Sequence, residues 1–367
     1  MDDLRVALIG YGLAGATFHA PVIAATPGLR LATIVTSNAE RAAAARARHE
    51  AVAIVSAVED VWSQADRHDL VVVAAHNRAH VPLGLAAIEA GLPVVIDKPV
   101  APGSEGAERL GAAARAAQVP VVPFHNRRWD GDFLTLRRLV ADGELGDVLR
   151  FESRFERWRP APRPGARREQ AGSDEAGGVL FDLGAHLIDQ ALALFGPVVA
   201  VYAEVETRQA DLEVDDDAFV ALTHASGVRS HLWASHMAAD RGPRLRVLGS
   251  RAAYVKHGLD VQASQLQAGM RPGDAGFGEE PRDAWGALCA GERARPVPTE
   301  PGDYASFYAG VAATVRDGAA PPVSLDDAIH GLRIIEAAVA GSRAARVTRP
   351  ARAGRDGGDR DKRAPGT

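Results

Sequence analysis

Asp182 and His186 are the two residues whose types and spacing most readily do chemistry. They stand in the run Gly177-Gly178-Val179-Leu180-Phe181-Asp182-Leu183-Gly184-Ala185-His186-Leu187. Four residues apart, they lie one above the other on one side of a helical start. A carboxylate beside an imidazole handles protons: the Asp fixes the tautomer and the His exchanges the proton near neutral pH. The paired glycines before them leave room for close approach by backbone or ligand. A helix-capping Asp followed by a hydrogen-bonded core His would be spelled the same way. Lys98 is the third candidate. Of 42 Lys and Arg residues only Lys98, Lys256 and Lys362 are lysines. A basic surface written in Arg points to a Lys kept where Arg would not serve.

These residues need elements to hold them. Leu183, Leu187, Ala191, Leu194 and Phe195 recur at helical spacing, so the Asp182–His186 helix packs inward along that stripe. Earlier in the chain, Arg5 to Ile9 reads as a buried strand, and Gly10-Tyr11-Gly12-Leu13-Ala14-Gly15 follows at once, with a helix from about Ala14. Strand, G-x-G-x-x-G turn and helix form a dinucleotide site: the first Gly turns, the second admits the pyrophosphate and the third lets the helix pack. The second strand, Leu29 to Val35, ends in Thr36-Ser37-Asn38, where an NAD site would place an acid for the ribose 2′-hydroxyl. The first acid is Glu40, and Ser37 and Arg41 could bind a 2′-phosphate, which favours NADP and leaves NAD as the second choice. An Arg41 that is only a solvated helix residue would read alike.

Leu70 to Ala75 is another buried strand. Ala75, His76, Asn77 and His80 follow its end and line the crevice where such sheets bind cofactor. After a helix from Val81 to Ala90, Pro93 to Ile96 runs into Asp97-Lys98-Pro99, which sets Lys98 at a strand end facing the same crevice. A helix from Glu105 to Ala117 and a strand from Val119 to Phe124 complete the alternation, and Asn126 follows it. Beyond lie a helix over Phe133 to Leu139, an alternating strand over Val148 to Phe155, and a Pro/Gly/Arg-rich loop over 160–178. Strand-like runs follow at Val198–Thr207, Ala218–His224, Arg229–His236, Leu245–Leu248 and Ala252–Lys256, then helices at Tyr304–Asp317 and Ser324–Ala340. The fold class is therefore an α/β N-terminal Rossmann domain (1–125) and an α+β C-terminal domain (126–350). The second domain carries a largely antiparallel sheet with one open face. Residues 351–367 hold nothing apolar larger than Ala and Pro, so they are expected to be disordered and dispensable.

Composition narrows the classes. A net charge of −5 gives no nucleic-acid footprint. Cys289 is the single cysteine, so no disulfide closes within the chain. The N-terminus does not read as a signal peptide, and no apolar run approaches the ~18 residues needed to span a bilayer. The expectation is a cytoplasmic protein with no membrane partner. No ligand cluster completes an Asp/His metal site.

With these residues in place, the sequence resembles the Gfo/Idh/MocA family of NAD(P)-dependent sugar and polyol dehydrogenases, from about residue 4 to 348. The glycine loop appears as Gly10, Gly12 and Gly15, followed by His19-Ala20-Pro21. The Glu-Lys-Pro motif appears as Asp97-Lys98-Pro99, with Asp for the commoner Glu, and the Asp-x-x-x-His motif as Asp182 and His186. His125-Asn126-Arg127-Arg128-Trp129-Asp130 and Glu152-Ser153-Arg154-Phe155-Glu156-Arg157 narrow the resemblance to the subgroup with NADP-dependent scyllo-inositol dehydrogenases. The resemblance implies that Lys98, Asp182 and His186 are catalytic and touch substrate. Arg154, Arg157 and Trp158 are candidate walls of a polyol pocket. The open sheet face implies a homodimer or homotetramer. A sugar-aldehyde or imine reductase of the same family, and a non-catalytic NADP-binding regulator, remain alternatives.

Overall fold

A computed structural model describes residues 2–161 and 175–344. The tail at 351–367 and most of the expected loop at 160–178 lie outside the described residues.

Six strands, β1 (Leu4–Ile9), β2 (Leu29–Val35), β3 (Ala53–Val55), β4 (Leu70–Val73), β5 (Val94–Asp97) and β6 (Val121–Phe124), form a parallel sheet in the order β3-β2-β1-β4-β5-β6. Helices α1 (Ala20–Ala25), α2 (Ala39–Arg48), α3 (Glu59–Trp62), α4 (Asn77–Glu89) and α5 (Ser104–Ala117) connect them. Every residue of β4, β5 and β6 is buried, which is why these strands are spelled as unbroken apolar runs: both faces are covered. The strand order reverses between β1 and β4, so the loops after those two strands diverge and open a crevice at the carboxyl edge. The three residues of β3 give no sequence signal of their own.

The chain leaves this sheet through a 3₁₀ turn, Asn126–Trp129, and helix α6 (Gly131–Ala141). It then builds eight strands: β7 (Val148–Glu156), β8 (Val198–Glu206), β9 (Asp217–His224), β10 (Arg229–Ser235), β11 (Leu245–Gly249), β12 (Ala253–Lys256), β13 (Gly286–Ala290) and β14 (Arg293–Val297). Their order is β14-β13-β12-β11-β7-β10-β9-β8. Neighbours are antiparallel except β7 and β10. The sequence shows neither β13 nor β14. β14 is Arg293-Ala294-Arg295-Pro296-Val297, an edge strand whose first four residues are exposed, so no apolar alternation marks it.

Burial alternates along β9, with Ala218, Val220 and Leu222 inside. That inner face is covered by α7 (Ala185–Phe195), where the Phe195 and Phe151 rings stand 5.4 Å apart. The outer face carries Tyr202, Phe219, His231 and Trp233, whose rings touch in sequence across β8, β9 and β10. Helix α8 (Gln262–Gln267) reaches back to the turn that follows the glycine loop.

The last two helices return to the first sheet. In α9 (Tyr304–Asp317), Phe307 and Tyr308 pack against Phe124 at the end of β6. The long α10 (Leu325–Ala344) lies across α5, α7 and β8, and so spans both sheets.

Candidate active site

The glycine loop shows why each glycine is there. Gly10 turns with φ +102°, and a Cβ on it would lie 2.5 Å from the Ala74 carbonyl oxygen. Gly15 backs directly onto the Gly10 carbonyl. Gly12 differs: a Cβ there would meet only Arg41 Nη1, at 3.7 Å. Open space over Gly12, beside a guanidinium, fits the pyrophosphate of a dinucleotide. Tyr11 turns inward instead, its hydroxyl 3.1 Å from His49 Nε2, and Leu13 is exposed. Beyond Ala14 the helix opens with a wide π-type turn, Gly15–His19, before α1. Asn38 caps α2, accepting the Arg41 N–H at 2.9 Å. This leaves Thr36 half-buried and Ser37 and Arg41 exposed at the crevice end of β2.

After β4, Ala75 is half-buried, and His76 is exposed at the capping position of α4. Asn77 donates to the carbonyls of Glu175 and Ala176, which ties the start of α4 to the segment leading into the Asp182 turn. His80 departs from its expected place lining the crevice. It is buried, with its ring nitrogens facing the Pro99 carbonyl at 2.8 Å and the Ala75 carbonyl at 3.2 Å. It braces the Asp97-Lys98-Pro99 turn from beneath, because its helix position points it into the sheet. Asn126, after β6, is also buried.

Asp97 closes β5, and its Oδ1 accepts the Lys98 N–H at 2.8 Å. His19 Nε2 lies 4.0 Å from the same oxygen, while His19 Nδ1 meets the Tyr308 hydroxyl at 2.5 Å. Burial pulls the His19 pKa down to about 4, against the pull of Asp97.

The Lys98 side chain crosses to the other half of the chain. Its Nζ donates to the Asp182 carbonyl and, at 2.8 Å, to Asp182 Oδ1. Asp182 sits inside a wide turn, Leu180–Gly184, and α7 starts at Ala185. The four-residue spacing to His186 therefore spans the junction between a wide turn and an α-helix. The start of the turn is held from elsewhere. Asp215 Oδ2 accepts the Leu180 N–H at 2.7 Å, and the Asp215 carbonyl accepts Val179 N–H at 2.8 Å. Gly178 (φ +95°) makes way for the Asp215 carboxyl, which fills the place of a Cβ. Burial raises the Asp215 pKa to about 6, and the Leu180 N–H offsets part of that rise.

His186 is buried, and its ring stands perpendicular to that of His125 with centroids 6.2 Å apart. His125 follows β6 as Lys98 follows β5. Sequence reasoning passed over it as a site residue, although the strand-end position is the same signal. Asp189, one turn beyond His186, accepts two bonds from Arg128, at 2.9 and 2.7 Å. Arg128 also donates to Asp327 of α10 at 3.0 Å. Asp215 was equally unread, since nothing in Glu213-Val214-Asp215-Asp216-Asp217 singles out its middle member.

The expected walls separate. Arg157 lies 4.9 Å over the Phe155 ring, whose other neighbour is Arg127 at 4.7 Å. Phe155 points to the inner face, so Arg157 stays on the side of the site. Trp158 is exposed at the rim, bridged to Met237. Arg154 does not belong with them. It alternates to the outer face, where its guanidinium stacks 3.8 Å from the Trp233 ring and lies 3.5 Å from Glu152.

A glycine-loop crevice, and a Lys–carboxylate pair beside a histidine at its edge, define an oxidoreductase with a Rossmann dinucleotide-binding fold. The comparisons agree. Residues 4–125 match the oxidoreductase family with an NAD-binding Rossmann fold, and residues 133–255 match the GFO/IDH/MocA C-terminal domain. The chain belongs to the Gfo/Idh/MocA family. It is 38% identical to the uncharacterised oxidoreductase YdgJ of Escherichia coli, over 91% of this chain and 95% of that one. It is 32% identical to the NADP(+) scyllo-inositol 2-dehydrogenase IolW of Bacillus subtilis, over 95% and 96%. The solved structure of YvaA from Bacillus subtilis superposes with a TM-score of 0.86 at 31% identity, covering 93% of this chain and 98% of that one. Among the described residues no helix is long and apolar enough to cross a membrane.

Proposed function

We propose that this chain is an NADP-dependent dehydrogenase of cyclic polyols or sugars, with scyllo-inositol or a close relative as substrate. The observation that carries the reading is the Lys98–Asp182 pair at 2.8 Å, which joins the strand end after β5 to the turn leading into the helix of His186. Gly10, Gly12 and Gly15, with Ser37 and Arg41, would hold the dinucleotide, and the bound nicotinamide supplies the hydride acceptor. His186 takes the hydroxyl proton as general base. Lys98 hydrogen-bonds the reacting oxygen and stabilises alkoxide character as it develops. Asp182 keeps the ammonium in place and is within reach of a neighbouring hydroxyl. Arg157 and Trp158 border the polyol. The likeness to IolW supports both the substrate class and NADP, and the guanidinium over Gly12 supports NADP independently.

The outer face of the second sheet, with its Tyr202, Phe219, His231 and Trp233 patch, is where a second copy of the chain would sit. The test of the activity is a panel of inositols and aldoses with NAD+ and NADP+, followed by nicotinamide absorbance. A higher kcat/KM with NAD+ overturns the cofactor reading, and turnover of aldehydes alone overturns the substrate reading. In the NADP reading, Ser37→Asp with Arg41→Ala shifts preference toward NAD.

A further inference from the structure

Oxidising a carbinol to a carbonyl breaks its C–H bond, whose electron pair leaves as hydride to the nicotinamide. It also breaks the O–H bond, whose proton is left on His186. That proton must leave before the next turnover, yet His186 is only 6% exposed. A bound dinucleotide and substrate would close the crevice side.

The opposite side holds a route. The His125 ring stands against His186, and His125 is itself buried. Its Nδ1 forms no hydrogen bond and lies 3.8 Å from Asp189 Oδ2, too far for a direct one. Beside it is a cavity of about 10 Å³, with His125, Asp189 and Asp327 as its polar lining and Pro99, Ala185 and apolar residues of α10 among the rest. That volume suits one water, which needs two to four polar partners. His125 and the two carboxylates supply them. Asp327 is 45% exposed, so the far end of the cavity is at the surface.

We propose that His125 is a proton-relay residue, passing the proton from His186 through one water in this cavity to Asp327 and bulk solvent. The proposal rests on His186 being the base. The charges facing His125 are Asp97 and Lys98 after β5, Asp189 and His186 on α7, Arg128 on its own turn and Asp327 on α10. Burial, with Arg128 and Lys98, lowers the His125 pKa against the pull of Asp189 and Asp97. In the reducing direction the same route runs inward.

The test uses the full chain with NADP+ and the best substrate of the panel, in a stopped-flow instrument with a pH-indicator dye beside the nicotinamide absorbance. In the unmodified protein the proton signal is expected to coincide with the hydride signal. In His125→Asn the proton should lag, appearing only with product release. Steady-state kcat should fall roughly tenfold, less than the 10²–10⁴-fold of losing a base, and recover as imidazole is added. Asp327→Asn, at the exposed end, keeps an oxygen for Arg128 and should delay the proton, which covers a His125 variant that folds poorly. Coincident signals in both variants overturn the relay, as does a lag already present in the unmodified protein. A His186→Ala variant with normal turnover overturns the base assignment instead, so the two failures are separable.

Discussion

Lys98 carries two duties that Arg could not share. Its side chain is 8% exposed, and its ammonium donates to both the carbonyl and the carboxylate of Asp182. In the proposed reaction the ammonium turns one of its three donors to the reacting oxygen. A planar guanidinium is wider and fixed in its fork, so Lys98→Arg should fail to rescue activity. His186→Ala should lower kcat by roughly 10²–10⁴-fold, as for a lost general base. Lys98→Ala should cost about 10²–10³-fold, as for a lost oxyanion donor. NADP affinity measured by titration should hardly change in His186→Ala. Near-normal turnover in that variant would move the base elsewhere. At this scale the placement of Lys98 at a strand end and of Asp182 four residues before His186 was legible, and the fold pairs Lys98 with Asp182. The sequence was not readable for Asp215 and His125, whose roles come from what the folded chain packs against them. Arg154 was misplaced because strand alternation, not residue type, decides which face a side chain sees.

At the scale of elements, the Leu180–Gly184 turn is positioned by a carboxylate that is costly to keep charged. The Asp215 pKa is about 6 in the fold, against 3.8 for the free group. A carboxyl with a raised folded pKa binds protons more tightly in the native state. Its contribution to stability is thus largest below the unfolded value and is lost as pH rises through the folded one. Asp215→Asn keeps an oxygen for the Leu180 N–H and removes the titration. Relative to the unmodified protein, it should gain stability between about pH 4 and pH 6, on the order of 2–3 kcal/mol. Denaturant melts of both proteins across that range check this. A pH-independent difference would show that Asp215 is not titrating there. The strands and helices with strong apolar periodicity were legible from spelling alone, β2 and α9 residue for residue. The short β3 and the polar edge β14 were not, because their pairing comes from the neighbouring strand rather than from their own side chains.

At the scale of the whole molecule, the open sheet face and the crevice are on different sides of the same β7–β10 layer. Trp233, stacked under Arg154 and beside Phe219, centres the outer patch. In the proposed assembly through this face, Trp233→Glu should give a smaller mass by light scattering, while the glycine-loop half keeps its dinucleotide affinity. An unchanged mass would place the contact between copies elsewhere.

The path of α10 has a consequence for how the chain is made. This helix is written last among the described elements, yet it packs on α5 of the first sheet and β8 of the second, and its Asp327 is tethered through Arg128 to Asp189. Tyr308 of α9 likewise seats against His19, near the start of the chain. On the ribosome, neither sheet can bury its last apolar surface until α10 has emerged. A nascent chain stalled near residue 300 would expose Phe124 and Ile188 together, and it is at this stage of synthesis that the protein would most need a chaperone.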